Sequence, residues 1–327
     1  MQICSADAAR HQFSFLRQVI GAIEFSLYVT QPSVVLELVE MSEVLNLRPA
    51  TRIPLPDPSV PQVARITGGT DRRETVSSLA AEFRPLDLFE RVALLRERVA
   101  GRIVFTTGFG LEGQAIAHAI FSQALDIEVV TLDTGRLFPE TFDVWAATER
   151  RYAARIVAVA PNDKDLKSLV ARQGVDGFRD SVAARLECCA VRKVAPLARA
   201  LHGASAWIAG IRADQSSNRA HLGAASFDKR RELIKVHPLF DWTRDQVLAL
   251  VRAHDVPYNA LHDRGFPSIG CFPCTRAVAP GEPERAGRWW WEQAAHKECG
   301  LHLTRTDRVA HAGGADLTFA THQSANS

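Results

Sequence analysis

Cys271 and Cys274 form a C-x-x-C in a tight loop beside Gly270 and Pro273, and Cys188 and Cys189 stand side by side just before Arg192 and Lys193. A fifth cysteine, Cys299, stands alone in the run Glu298-Cys299-Gly300-Leu301-His302, and Cys4 belongs to no motif. Two pairs and one separate thiol suggest a metal centre and a nucleophile. A zinc ion needs four ligands converging on one point at roughly 2.3 Å, which adjacent cysteines reach only with strain. A [4Fe–4S] cube spreads four cysteine thiolates over four irons, so a vicinal pair can hold two corners. The spacing therefore favours the cluster over zinc. Two buried helix cysteines behaving as small hydrophobes are the bland alternative for Cys188 and Cys189, and the C-x-x-C argues against it.

These motifs, with the run Arg285-Ala-Gly-Arg288-Trp-Trp-Trp291, resemble the assimilatory adenylylsulfate reductases, the iron–sulfur branch of the adenylylsulfate/phosphoadenylylsulfate reductases. The resemblance runs from about Ser77 to His302. It implies a [4Fe–4S] cluster on Cys188, Cys189, Cys271 and Cys274, and Cys299 as the catalytic nucleophile. It also implies substrate contacts from Lys193, Arg285 and Arg288 at the sulfate end. Further contacts would come from Arg212, from Thr107, Gly108 and Gly110 of a first loop, and from Asp133, Thr134 and Gly135 of a second. The chain departs from the family pattern at Gly108, where relatives carry serine, and at Gly113, where a second acidic residue usually follows Glu112. A hydroxyl and a carboxylate are missing there, while the backbone amides remain.

The elements that must position these residues follow from the rest of the chain. Its 327 residues carry 39 basic and 37 acidic side chains, so no global charge points to nucleic acid or a membrane surface. Six cysteines in a chain of this length do not make a disulfide framework. No apolar run reaches the roughly 18 residues of a membrane span, and no secretory leader is apparent at the N-terminus. The expected location is the cytoplasm.

Residues 1–75 are an N-terminal extension. Pro32 to Leu47 has helix-like apolar spacing, and five prolines from Pro49 to Pro61 then exclude regular structure. The extension reads either as an appended or oligomer-contact element or as a poorly ordered extension; the second is favoured. Residues 76–303 form the catalytic domain, and residues 304–327 a flexible tail.

Within the domain, Pro85 opens an amphipathic helix with Leu86, Phe89, Val92 and Leu95 on one face. The strand Arg102–Phe105 runs into the loop Thr106 to Gly113 and a helix from Gln114 to Gln123. That arrangement faces backbone N–H groups and a helix N-terminus towards an anion. The loop lacks the G-x-x-x-x-G-K-[ST] phosphate signature. Strands at Ile127–Leu132, Arg155–Val159, Ala206–Ile211 and Leu233–Val236 alternate with helices at Asp165–Gln173 and Val182–Leu201. A capped helix follows from Asp241 to His254. The alternation argues an α/β fold, a doubly wound, mostly parallel five-stranded sheet. The resemblance implies the adenine-nucleotide alpha hydrolase-like type, related to the PP-loop enzymes, with the nucleophilic cysteine on a C-terminal segment.

The resemblance implies conversion of adenylyl sulfate and a reduced dithiol protein, thioredoxin or glutaredoxin, to sulfite and AMP through an S-sulfo group on Cys299. A phosphoadenylylsulfate reductase is the alternative of the same class; most of those lack the four cluster cysteines. A tRNA-thiolating PP-loop enzyme is the alternative of another class, and its S-G-G-x-D-S loop is absent. A homo-oligomer is compatible with the sequence.

Overall fold

The structure, a computed structural model, describes residues 69–292. The extension up to residue 68, Cys4, the Glu298–His302 run with Cys299, and the tail from residue 304 lie outside the described residues.

The first described helix, α1 (Gly69–Glu82), crosses the boundary expected at residue 75 and leads to Phe83, which with Leu79 is fully buried. α2 (Leu88–Arg98) starts at a capping box rather than at Pro85. The Asp87 side chain accepts from Glu90 N at 2.9 Å, and the Glu90 side chain accepts from Asp87 N at 2.8 Å. Leu86 therefore precedes the helix, and the buried face is Leu88, Arg91, Val92 and Leu95. Buried Arg91 donates to both carboxylate oxygens of Asp241, at 2.7 and 2.8 Å, and so ties α2 to the segment after the last strand.

The sheet has six strands among the described residues: β1 (Ile103–Thr107), β2 (Glu128–Thr131), β3 (Val157–Ala158), β4 (Ala206–Ala209), β5 (Ala225–Asp228) and β6 (Leu233–Val236). Their order is β3-β2-β1-β4-β6-β5. All pairs are parallel except β5 with β6. The expected five-strand count is thus corrected by β5. Ala225–Asp228 is only four residues long and none of them is fully buried, so its Ala-Ser-Phe-Asp alternation is too short to mark a strand. A local turn makes it instead: Asp228 Oδ1 accepts from Arg230 N and Arg231 N, and its Oδ2 pairs with Arg231 at 2.6 Å.

β1, β2 and β4 are buried nearly end to end, as strands covered on both faces must be. On one face they are covered by α3 (Leu111–Ser122) and α4 (Pro139–Tyr152), whose Ile116, Ile120 and Val144 join the core; α5 (Asp163–Gln173) follows β3. Strand order reverses between β1 and β4, and an open α/β sheet binds ligands at that switch point, beyond the carboxyl ends. The helix expected over Val182–Leu201 is interrupted. α6 (Val182–Cys189) passes into a π-helical turn at Ala190–Val194 before α7 (Ala195–Ala200). Such turns widen the helix by one residue and concentrate at functional sites. α8 (Arg244–Ala253) starts from the capping box of Thr243 and Gln246.

Candidate active site

A cavity of about 230 Å³ opens where the loops after β1 and β4 leave the sheet. Thr107, Gly108 and Gly110 line it from the first loop, and Ala209, Gly210 and Ile211 from the second. In the first loop Thr107 Oγ1 accepts from Phe109 N at 3.0 Å, and Phe109 takes φ 58°, a left-handed conformation uncommon outside glycine. A Cβ at Gly113 would lie 2.5 Å from Thr107 Oγ1. The missing second carboxylate thus goes with a threonine hydroxyl that fills its space. A Cβ at Gly108 would meet nothing within 4 Å, so no steric demand explains that glycine. Gly110 caps α3 without a side chain, leaving the first-turn amides to the cavity.

The loop after β2 divides its work. Asp133 Oδ1 accepts from Gly135 N at 2.9 Å, and Gly135 has φ +66°; the two shape the turn and do not line the cavity. Thr134 is buried and lines it. Its Oγ1 lies 3.3 Å from Cys271 Sγ, and its carbonyl accepts from Arg192 Nη1 at 2.7 Å.

The basic residues separate into two groups. Lys193, Arg285 and Arg288 line the cavity together with Gly270 and Cys271. Arg285 and Arg288 lie on one hydrogen-bonded turn, with Arg288 N donating to Arg285 O at 3.0 Å, rather than on a helix. That segment runs beside the C-x-x-C loop: Arg276 N donates to Gly287 O, and Trp289 N to Cys274 O. Any side chain at Gly270 would collide with the Arg288 guanidinium.

Arg212, expected as a substrate contact, is fully buried and does not line the cavity. Its Nε donates to Glu112 Oε1 at 2.7 Å, its Nη2 to Glu284 Oε2 at 2.8 Å, and its Nη1 to Asp214. A guanidinium offers five N–H donors, and carboxylates on three segments take its three nitrogens here. Arg219 does line the cavity, with Nη1 donating to Gln215 Oε1.

The four cysteines meet at a second, small cavity of about 20 Å³, lined by Cys188, Cys189, Cys271 and Cys274 with Arg136, Arg192, Lys193 and Trp289. All four are free thiols. Burial pushes Cys274 up to about 11, with Cys271 adding to the rise and Lys193 and Arg288 opposing it. Burial likewise raises Cys188, against the pull of Arg192 and Arg136. Arg192 Nε and Trp289 Nε1 are buried without a hydrogen-bond partner among the described residues. Four thiols ringed by cations and orphaned N–H donors suit a sulfur-rich, anionic group. Among the described residues no three His, Cys, Asp or Glu side chains are grouped as ligands of a metal ion.

Lys193, in the π turn, lines both cavities. Sequence reasoning missed His262 and Glu284 in the large cavity. Neither carries a motif; the one available signal for Glu284 is an acid placed directly before Arg285.

The phosphoadenosine phosphosulfate reductase domain profile matches residues 102–277. The chain is 47% identical over 250 residues to the adenosine 5'-phosphosulfate reductase of Agrobacterium fabrum, covering 76% of this chain and 96% of that one. It is 52% identical over 236 residues to the Sinorhizobium fredii protein of the same name, covering 70% and 94%. Among solved structures, phosphoadenylyl-sulfate reductase from Candida auris in a phosphate complex aligns with a TM-score of 0.54 and 25% identity. That alignment covers 63% of this chain and 97% of that one.

Proposed function

The chain belongs to the phosphoadenosine phosphosulfate reductase family, and we propose that within it the protein is an adenylylsulfate reductase of sulfate assimilation, releasing sulfite and AMP. The relatives' name and their extent carry the substrate. The observation that carries the chemistry is the position of Lys193, Arg285 and Arg288 in one cavity with the β1 loop and Cys271.

The β1 loop and the α3 N-terminus bind the nucleotide phosphate through backbone N–H groups. Lys193, Arg285 and Arg288 hold the sulfonyl oxygens, where charge develops as the sulfur–oxygen bond breaks. The Cys299 thiolate, outside the described residues, attacks sulfur; a Cys299 sulfur–sulfur bond forms and AMP leaves with the bonding pair. A dithiol protein, thioredoxin or glutaredoxin, then attacks the Cys299 sulfur, and sulfite departs with the electron pair. Its second thiol resolves the mixed disulfide, so the partner is oxidised to a disulfide and Cys299 returns to a thiol.

Cys188, Cys189, Cys271 and Cys274 would hold a [4Fe–4S] cluster, which supplies electrostatic and structural support beside Lys193. The electrons come in pairs from the thiols. No described helix is long and apolar enough to cross a membrane; we place the reaction in the cytoplasm, where the dithiol donor is kept reduced. The test is anaerobic purification followed by assay of sulfite release from adenylyl sulfate with reduced thioredoxin. No sulfite above the no-enzyme control would refute the reading.

A further inference from the structure

His262 lines the large cavity, and the reaction outlined above gives it no task. It sits in a short 3-10 turn, Ala260–Arg264, capped by Asn259, whose side-chain oxygen accepts from Leu261 N at 3.0 Å. Asn259 is fully buried and donates to Thr141 Oγ1 on α4 at 3.3 Å, so the turn is anchored to the body of the fold.

His262 Nδ1 lies 2.9 Å from the Phe266 carbonyl oxygen. A carbonyl can only accept, so Nδ1 carries the proton and Nε2 is left with a lone pair. Burial holds the ring's pKa down at about 4, with Glu112 opposing and Arg244 assisting, so the imidazole is neutral near pH 7. Nε2 is buried and has no hydrogen-bond partner among the described residues. It is an oriented acceptor awaiting a donor, and leaving such an atom unpaired is unfavourable.

The substrate's chemistry says which half supplies that donor. Phosphate and sulfate oxygens at neutral pH bring only acceptors and would repel the lone pair. Donors occur in the nucleoside half, as the exocyclic amine of adenine and the ribose hydroxyls. Glu112 and Glu284, further acceptors, line the same cavity. We propose that His262 Nε2 accepts a hydrogen bond from an N–H or O–H donor of the nucleoside half and so sets nucleoside orientation. This rests on the nucleotide reading of the cavity.

The test is calorimetric binding of AMP, IMP, 2'-deoxy-AMP and 3'-deoxy-AMP to the full chain and to its His262→Asn and His262→Gln variants. Asparagine keeps a donor for the Phe266 carbonyl but has nothing at Nε2, whereas glutamine reaches that position with an amide oxygen. One analogue should bind the wild type about five- to tenfold more weakly than AMP, as for one hydrogen bond. His262→Asn should lose the same factor with AMP and then fail to distinguish AMP from that analogue. His262→Gln should recover part of the loss, and the melting temperature of His262→Asn should stay near that of the wild type. Unchanged AMP affinity in His262→Asn, or penalties that multiply for all three analogues, overturns the assignment. A nitrogen NMR titration of histidine-labelled wild type, assigned against His262→Gln, does not depend on the asparagine variant folding. AMP must move the Nε2 resonance, and an unmoved resonance also overturns it. Absence of AMP binding by the wild type would sink the nucleotide reading itself, whereas sulfite release with AMP binding but no coupling sinks only the role of His262.

Discussion

Arg212 Nε donates to Glu112 Oε1 at 2.7 Å across a sequence separation of 100 residues, with Arg212 fully buried. The same guanidinium reaches Glu284, immediately before Arg285, so one side chain joins the first turn of α3, the β4 loop and the arginine turn. Removing one partner of a buried ionic set leaves the others uncompensated, at a typical cost of about 3–5 kcal/mol. Arg212→Ala should therefore lower stability by roughly that order in denaturant melts, and Arg212→Lys should recover little, because one ammonium cannot replace a three-nitrogen fork. A variant of wild-type stability with only a raised KM would mean that Arg212 serves the ligand instead.

The two kinds of cysteine should separate cleanly. Cys299→Ser should keep cluster absorbance and nucleotide binding yet abolish sulfite formation, because the nucleophile is not one of the four thiols of the small cavity. Cys274→Ser should lose iron and sulfide, measured by chemical analysis after anaerobic purification. Since burial holds Cys274 near 11, loading the iron-free protein at pH 7 should also release protons, detectable in weak buffer. Turnover by Cys299→Ser would remove its assignment as the nucleophile.

The extension should be dispensable up to the start of α1. A chain beginning at Thr70 should retain cluster and most activity. One beginning at Pro85 removes the fully buried Leu79 and Phe83, and losing large core side chains costs about 3–5 kcal/mol each. It should fail to give a cooperative melt. Equal behaviour of the two chains would show that α1 is peripheral.

His237 supplies a pH test. It is buried at the end of β6, its Nδ1 lies 3.4 Å from the Ala209 carbonyl, and its pKa is lowered to about 3 by burial and by Lys235. The unfolded chain takes up this proton near pH 6.5, while the folded one does so only near 3. Stability is therefore present above the unfolded value and lost as pH falls through that window, by roughly 2 kcal/mol at pH 5. His237→Asn should flatten the stability profile between pH 6.5 and 4, and an unchanged slope would exclude His237 as its source.

What the sequence disclosed and what it hid follow one physical line. The glycine loop, the Asp133–Gly135 turn and the cysteine spacings were legible because neighbouring residues determine a turn or a ligand pair. The parallel strands were legible because burial on both faces leaves continuous apolar runs such as Ile103–Phe105. β5 was not, since the Asp228 turn makes it rather than its own hydrophobicity. The π turn changes helix register without any marker residue. The Arg212 clasp and the lone pair of His262 depend on partners that only the folded chain brings together, which is why Arg212 read as a substrate contact.

Substrate choice is the last expectation. Phosphoadenylyl sulfate adds a 3'-phosphate, about two negative charges by analogy with phosphorylated side chains, and holding it requires a dedicated cation. Arg212 is committed to Glu112, Asp214 and Glu284. Lys193, Arg285 and Arg288 stand together beside Cys271, at the end assigned to sulfate. Of the β4-loop arginines only Arg219 lines the cavity, and its Nη1 already donates to Gln215. Glu112, Glu284 and the His262 acceptor line the same space, and each disfavours a further phosphate. kcat/KM should therefore favour adenylyl sulfate by at least about tenfold, near 1.4 kcal/mol of transition-state discrimination. Arg219→Ala should leave the adenylyl sulfate value within a few fold while lowering any residual activity on the phosphorylated nucleotide. Equal or better efficiency with phosphoadenylyl sulfate would mean that Arg219 exchanges Gln215 for the 3'-phosphate and that the acceptors do not face it.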